Sequence, residues 1–413
     1  MAGIVSRLWE AFSPSNPPPK SADALRFGIL GAATIAPLTL TNPAKTHPEV
    51  IVQAIAARDR AKAEKFAKAN GIPEVKASYE ELIDDPNIDC VLIPLPNALH
   101  FEWAVRAIRA GKHVLLEKPA VSNAQEAEAL FRLPELSVPN APVLLEAFHS
   151  RFYPSWIKFR SLINPDDVVS VKSASMIPWW GTSKSDIHFN YNLSGGSIMA
   201  MGTYNFAALR MLFGAEPEEC ISCNTHHYTD GEHHDCDWDF HATFRFPGGR
   251  IGEASSTLRG PTWWTPSTAE VQLRAVLVPE AELEKSGQEK FRIRKATLHG
   301  IVHGIFWHRI DLHDMFEVRE KSTGRVVRTW TETNSEKAYT FAEAGADFAG
   351  LPSEASWMSF RHQLEQFVNR VKGRETTTWV DGNESIRQMR MIDLAYEKSG
   401  LGARPSSKFL GTL

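Results

Sequence analysis

Lysine followed by proline closes an apolar run at Val114-Leu115-Leu116-Glu117-Lys118-Pro119. An ammonium at the end of a buried strand can orient a reacting hydroxyl and stabilise the negative charge that develops as a hydride moves. Upstream, Phe27-Gly28-Ile29-Leu30-Gly31-Ala32-Ala33-Thr34-Ile35-Ala36 reads as a strand running into a glycine turn and a helix, the arrangement that seats a dinucleotide pyrophosphate. Gly31, Ala33 and Ala36 take the G-x-G-x-x-G/A positions, so the second glycine is alanine. Its methyl narrows backbone approach without abolishing it, and the amides around Thr34 and Ile35 at the helix start would meet the phosphates. Together the two segments suggest a nicotinamide oxidoreductase. Taken alone, Lys118-Pro119 reads better as an ordinary strand end, because proline stops a ladder anyway and lysines are usually solvated.

The second strand ends Ala56-Ala57-Arg58-Asp59. Ala57 stands where an NAD enzyme usually places an acid for the ribose hydroxyls, and the following Arg58 can pair with a 2'-phosphate. This favours NADP, with NAD kept open. The third strand ends in Pro94-Leu95-Pro96-Asn97 with His100 beyond it. In an open parallel sheet the carboxyl ends of the strands line the ligand crevice, so Leu95, Pro96, Asn97 and His100, with Glu117 and Lys118, are expected to face the cofactor. A metal alternative rests on Cys220, Cys223, His226, His227, His233, His234, Asp235 and Cys236. Their spacing matches no zinc pattern, and no metal is expected.

The elements that must position these groups alternate. Strands are expected at 25–30, 50–57, 90–93, 114–116 and 143–146 with helices between them, which implies crossover units and a parallel sheet. Asp59 can cap a helix over 61–69 that Asn70-Gly71 closes. After Arg151 the rhythm changes to longer runs at 168–177, 239–246, 250–257, 269–278 and 291–298, the pattern of a largely antiparallel sheet. One helix follows Ser194-Gly195-Gly196 and reaches about residue 213; two more, 354–371 and 384–399, are expected to pack back on the first part. The division is an N-terminal arm (1–24), a dinucleotide-binding domain (25–147), a sheet domain for substrate and oligomerisation (148–380), and a terminal helix and tail (381–413).

With 413 residues the chain exceeds the size at which one core usually stops growing. A formal charge of -4 offers no basic footprint for nucleic acid. Four cysteines are no disulfide framework and suit a reducing compartment. No apolar run approaches the roughly 20 residues that span a bilayer, so a soluble, cytoplasmic protein with a small-molecule partner is expected.

Gly31-Ala32-Ala33, Pro96-Asn97 with His100, Ala110-Gly111-Lys112-His113 and Glu117-Lys118-Pro119, in this order and spacing, resemble the Gfo/Idh/MocA oxidoreductase family. Ala56-Ala57-Arg58-Asp59, Ser78-Tyr79-Glu80-Glu81-Leu82 and Glu146-Ala147-Phe148-His149-Ser150-Arg151-Phe152-Tyr153-Pro154 are similar to its branch of dimeric dihydrodiol dehydrogenases and NADP-dependent D-xylose 1-dehydrogenases. The resemblance implies an α/β protein, a doubly wound Rossmann domain followed by an α+β domain with a large open-faced, mostly antiparallel sheet. It implies hydride transfer between a nicotinamide and a carbon of a sugar, cyclic polyol or trans-dihydrodiol, and a homodimer.

The resemblance also marks Lys118 as catalytic and places Tyr204, after Gly195-Gly196, at the acid/base position. It turns His149, Arg151, Trp179, His188, Asn190 and Tyr204 toward substrate; Trp179 and Trp180 would point to opposite faces of any strand they shared. A tyrosine poised as a base needs its pKa lowered toward neutrality, roughly 4 kcal/mol of anion stabilisation, which Lys118 could supply. Ala200 departs from the family, which generally has aspartate there; Asp186 is a candidate for a relocated acid. Two competing readings on the same fold are a glycosidase that recycles its bound nicotinamide and a nucleotide-binding regulator without turnover.

Overall fold

The computed structural model describes residues 2–183, 186–227, 235–263, 265–302 and 304–412, with Ala2 and Lys285 described by backbone only. The strands of the first sheet are β1 (Leu25–Leu30), β2 (Val50–Ala56), β3 (Glu74–Val75), β4 (Cys90–Ile93), β5 (His113–Glu117) and β6 (Leu144–Ala147). They are all parallel, in the order β3-β2-β1-β4-β5-β6. Phe27, Ile29, Val91, Leu92, Val114 and Leu115 are fully buried because helices cover both faces. The order reverses between β1 and β4, and the crevice at such a switch point is where open α/β sheets take their ligands.

Local chemistry sets the helix ends. The Asp59 carboxylate accepts from the Lys62 amide at 3.1 Å, and Gly71 closes helix Arg60–Asn70 with φ of 67°. Ser78 caps Tyr79–Asp84 through the Glu81 amide at 3.1 Å. The helix expected after the glycine turn is shorter and wider than a regular one. It is a π turn, Pro37–Thr41, continuing into one α turn, Asn42–Lys45.

The second sheet holds β7 (Val168–Pro178), β8 (Glu219–His227), β9 (Asp237–Phe246), β10 (Arg250–Gly260), β11 (Thr268–Leu273), β12 (Val276–Val278), β13 (Gln288–His299), β14 (Arg309–Glu320) and β15 (Val326–Glu336). It runs β15-β14-β13-β11-β7-β10-β9-β8, with β12 beside β13, and all its pairs are antiparallel except β7 with β10. The run 269–278 is therefore two strands. Helix Thr203–Phe213 covers one face, where Phe206 meets Phe240 and Phe244 edge-on at 5.4 and 5.1 Å. The opposite face carries cross-strand ion pairs, Lys172 with Glu253 at 3.0 Å and Lys295 with Glu270 at 2.7 Å.

Two C-terminal helices tie the sheets together. Helix Ser359–Val371, which a division at 380 assigns to the sheet domain, buries Leu364, Phe367 and Val368 against the parallel sheet, with the Phe367 ring 5.8 Å from that of Phe27. Helix Gly382–Ser399 packs between β8 and helix Ala124–Phe131. The arm forms helix Ala2–Phe12, whose Leu8, Ala11 and Phe12 join Leu38, Tyr153 and Met358. Among the described residues no helix is long and apolar enough to cross a membrane.

Candidate active site

The carboxyl ends of β1, β4, β5 and β6 converge as the sheet register requires, with Ile93 beside Leu116 and Glu117 beside Ala147. Gly31 adopts φ of 105°, a left-handed conformation that favours glycine. A Cβ there would stand 2.9 Å from Leu95 Cδ2, so that leucine would have to shift. Ala33 is half-buried, Thr34 and Ile35 are exposed, and Arg58 is exposed at the end of β2. Leu95 is buried while Pro96 and Asn97 are partly open. Asn97 Nδ2 donates to the Ser194 carbonyl at 2.9 Å and so reaches across to the second domain.

Lys118 is half-buried and precedes a cis peptide to Pro119. Its Nζ donates to the Ala200 carbonyl at 2.9 Å and lies 4.6 Å from the centre of the Tyr204 ring. Burial pulls its pKa below the usual lysine range, against the opposing charges of Glu117 and Glu146. Glu117 is 7% exposed, and its Oε1 is buried with no hydrogen-bond partner. Burial, opposed by Lys118, raises the Glu117 pKa to about 7. A bare acceptor at the carboxyl end of a strand in this sheet fits a dinucleotide whose carboxamide can donate to it.

Tyr204 is 5% exposed. It follows a π turn, Ile198–Gly202, at the head of helix Thr203–Phe213, and the turn holds Ala200 in the same buried cluster. Burial, reinforced by Glu117, pushes its pKa well above 10, which corrects the expected lowering. The ammonium faces the ring rather than the oxygen, so desolvation of the phenolate wins. The Tyr204 hydroxyl instead lies 2.8 Å from His149 Nε2, and His149 Nδ1 lies 2.8 Å from Ser359 Oγ.

Several residues expected at the ligands are placed otherwise. His100 is fully buried, and its nitrogens lie 3.0 Å from the Pro119 carbonyl and 2.7 Å from that of Leu95. It joins two crevice loops and has no surface for a cofactor; burial lowers its pKa to about 4. His149, 2% exposed, packs on Phe360 at 4.0 Å, behind the Tyr204 hydroxyl. Arg151 turns away to Glu384, at 3.1 Å, in the C-terminal helix. Trp179 and Trp180 lie in a turn beyond β7, so strand alternation does not sort them. Both are exposed, with Nε1 atoms donating to Thr262 Oγ1 at 3.3 Å and to its carbonyl at 2.8 Å.

His188 is half-exposed, and its Nδ1 and amide meet the Asp186 carboxylate. Its carbonyl accepts from the Gly196 amide at 2.7 Å, and Asn190 offers its own to Gly195 at 2.9 Å. Asp186 is thus bound up with His188, two residues away. Among the described residues no group of three or more His, Cys, Asp or Glu could hold a metal. His233 and His234 lie outside the described residues.

Three contributors escaped the sequence reading. Ser359 has no local motif and reaches His149 only by folding. Arg404 and Asp237 form a wholly buried pair at 2.7 Å. Arg404 Nε also donates to the Gly195 carbonyl at 2.9 Å, and Asp237 Oδ2 accepts from the Ile198 amide at 2.8 Å. This pair anchors the glycine turn from which the Tyr204 helix starts. Gly196 is the only residue type that fits, since a Cβ would stand 2.2 Å from Asp237 Oδ1.

The family model GFO_IDH_MocA, an oxidoreductase family with an NAD-binding Rossmann fold, matches residues 25–136, and the GFO/IDH/MocA C-terminal domain matches 166–277. The chain is 31% identical over 383 residues to D-xylose 1-dehydrogenase (NADP(+)) 2 of Haloferax volcanii, covering 92% of this chain and 98% of that one. It is 30% identical over 272 residues to trans-1,2-dihydrobenzene-1,2-diol dehydrogenase of Mus musculus, covering 65% and 79%. The fold is similar to that of a 3-ketoreductase from Actinomadura kijaniata crystallised with NADP and TDP-benzene (TM-score 0.67, 21% identity, 93% and 99% coverage). It is also similar to that of an aldose-aldose oxidoreductase from Caulobacter crescentus (TM-score 0.65, 19% identity, 91% and 98% coverage).

Proposed function

The chain belongs to the Gfo/Idh/MocA family of NAD(P)-dependent oxidoreductases, and from that premise we propose that it moves a hydride between NADP and a hydroxyl-bearing carbon of an aldose, cyclic polyol or trans-dihydrodiol. The single observation that carries this is the meeting of Lys118 and Tyr204 at the crevice, the ammonium 4.6 Å from the centre of the ring.

The bound nicotinamide supplies the hydride acceptor or donor. The turn from Gly31 through Ile35 would hold the pyrophosphate and Arg58 the 2'-phosphate, a preference for NADP supported by the missing acid at Ala57. Leu95, Pro96 and Asn97 would border the nicotinamide end, and Glu117 Oε1 would accept from its carboxamide. Lys118 would orient the reacting oxygen and stabilise charge on it. Tyr204, protonated at neutral pH, is suited to give a proton when a carbonyl is reduced, and must pass its own proton onward when an alcohol is oxidised. His188, backed by Asp186, together with Asn190 and Trp179, would shape the substrate side.

Four reduced, buried cysteines support a cytoplasmic setting. The exposed face of the second sheet, with its cross-strand ion pairs, is where we place a second copy in a homodimer. Reduced-nicotinamide absorbance with NADP or NAD and a panel of aldoses, inositols and trans-dihydrodiols tests the reading. Turnover on one class supports it. Silence across the panel with NADPH still binding would transfer the fold to a redox-neutral or non-catalytic role.

A further inference from the structure

Resting on that reading, we infer that His149 is the proton acceptor behind Tyr204, and that Tyr204, His149 and Ser359 form a relay that carries the substrate proton away from the crevice into the protein. His149 Nε2 is the hydrogen-bond partner of the Tyr204 hydroxyl at 2.8 Å, and no other side chain bonds that hydroxyl among the described residues. The imidazole is held from behind by Ser359 Oγ at 2.8 Å and flat against Phe360 at 4.0 Å. It is 2% exposed, so a proton that reaches it comes from Tyr204 rather than from solvent at the crevice.

Among the described residues, these groups face the relay. Lys118 bears on the Tyr204 ring and Glu117 on its charge. From helix Ser359–Val371 come Ser359 and Phe360, and from the segment before His149 comes Phe148, edge-on to Tyr204 at 5.3 Å. Arg151, on the same short turn as His149, is engaged with Glu384. Lys118 gives its hydrogen bond to Ala200, so it is not the group that takes the phenolic proton.

In oxidation the substrate O–H bond breaks toward Tyr204 Oη while the Tyr204 proton passes to His149 Nε2. The C–H bond breaks with its electron pair, which leaves as hydride to the oxidised nicotinamide dinucleotide. The products are a carbonyl, reduced nicotinamide and a His149 imidazolium whose Nδ1–H donates to Ser359 Oγ. Reduction runs the same bonds backward. A serine hydroxyl either donates or accepts, so it serves both neutral tautomers of the ring. Ala200, which removes the carboxylate the family generally keeps beside its base, leaves this imidazole as the titratable partner of Tyr204. His149 acts through Tyr204 and is a positioning and relay residue.

Glutamine at 149 preserves hydrogen bonds on both sides but cannot titrate. In His149→Gln, kcat for alcohol oxidation should fall about 100-fold, the usual scale for a general base, with NADPH binding by fluorescence unchanged. The acid-side limb of the wild-type kcat profile should disappear. Full activity with an unchanged limb would overturn the relay. Because a core variant can fail to fold, a second measurement uses intact His149: nitrogen-15 NMR of the imidazole in wild type and Tyr204→Phe. A changed Nε2 shift in Tyr204→Phe supports the relay, and identical spectra overturn it. Wild-type silence on every substrate defeats the functional reading instead, and the NMR comparison then decides the proton contact by itself.

Discussion

Lys118 Nζ stands 4.6 Å from the centre of the Tyr204 ring yet gives its hydrogen bond to the Ala200 carbonyl, 2.9 Å away. The ammonium therefore meets the π face and not the phenolic oxygen. A cation over a ring contributes on the order of 1 kcal/mol, short of the roughly 4 kcal/mol that a neutral-range phenolate would need. This is why Tyr204 stays protonated while remaining well placed to exchange a proton.

Removing that hydroxyl should abolish the exchange without disturbing cofactor seating. Tyr204→Phe is expected to lower kcat by about 100-fold or more and to leave NADPH affinity within twofold by fluorescence titration. Unchanged turnover would remove Tyr204 from the mechanism.

Lys118 must be charged to hold developing negative charge, and burial lowers its pKa from the ordinary value. Activity should accordingly decline on the alkaline side, below the usual lysine range. Lys118→Met should lose about 100-fold or more in kcat at every pH. An alkaline limb that persists in Lys118→Met belongs to another group.

Glu117 links the site to stability. Its folded pKa is raised to about 7 from 4.5, so the folded state holds the proton more tightly than the unfolded chain does. The sign follows: stability is full below about pH 4.5 and is lost as pH rises through about 7. Glu117→Gln should match wild type near pH 4.5 and exceed it above pH 7, by up to on the order of 3 kcal/mol. Chemical denaturation of the cofactor-free protein at the two pH values measures the difference, and an equal ΔΔG at both contradicts it.

The Arg404–Asp237 pair has no exposed surface on either side chain. Breaking it by Arg404→Met leaves a buried carboxylate and should cost about 3–5 kcal/mol. Because the same arginine holds the Gly195 carbonyl, kcat should fall even well below the melting temperature. A thermal shift without a kinetic effect would mean that the turn before Tyr204 holds its shape alone.

Arg58 is exposed at the end of β2. If it pairs with a 2'-phosphate, Arg58→Ala should raise KM for NADPH by about 10–100-fold and leave that for NADH nearly unchanged. Parallel steady-state kinetics with both cofactors would show the difference, and equal changes would point to a general surface effect.

What the sequence by itself determined lies in short-range pattern. Alternating strands and helices, the glycine turn at Gly31 and the caps at Asp59 and Gly71 follow from local sterics and hydrophobic period, which neighbouring residues set together. Lys118 could be placed at the crevice because it ends an apolar strand, and strand ends face ligands in any such sheet. Strand alternation misled at Trp179 and Trp180 because the chain leaves β7 before reaching them.

The tertiary structure decided which polar groups meet. His149 and Tyr204 are 55 residues apart, and His149 and Ser359 are 210 apart. His100 and Arg151 carry the same side chains in either setting, yet one is sealed between loops and the other drawn to Glu384. The direction of the Tyr204 pKa was decided there too. Desolvation and Coulomb energy depend on burial and on distances of a few ångströms, quantities that exist only once the distant segments have packed.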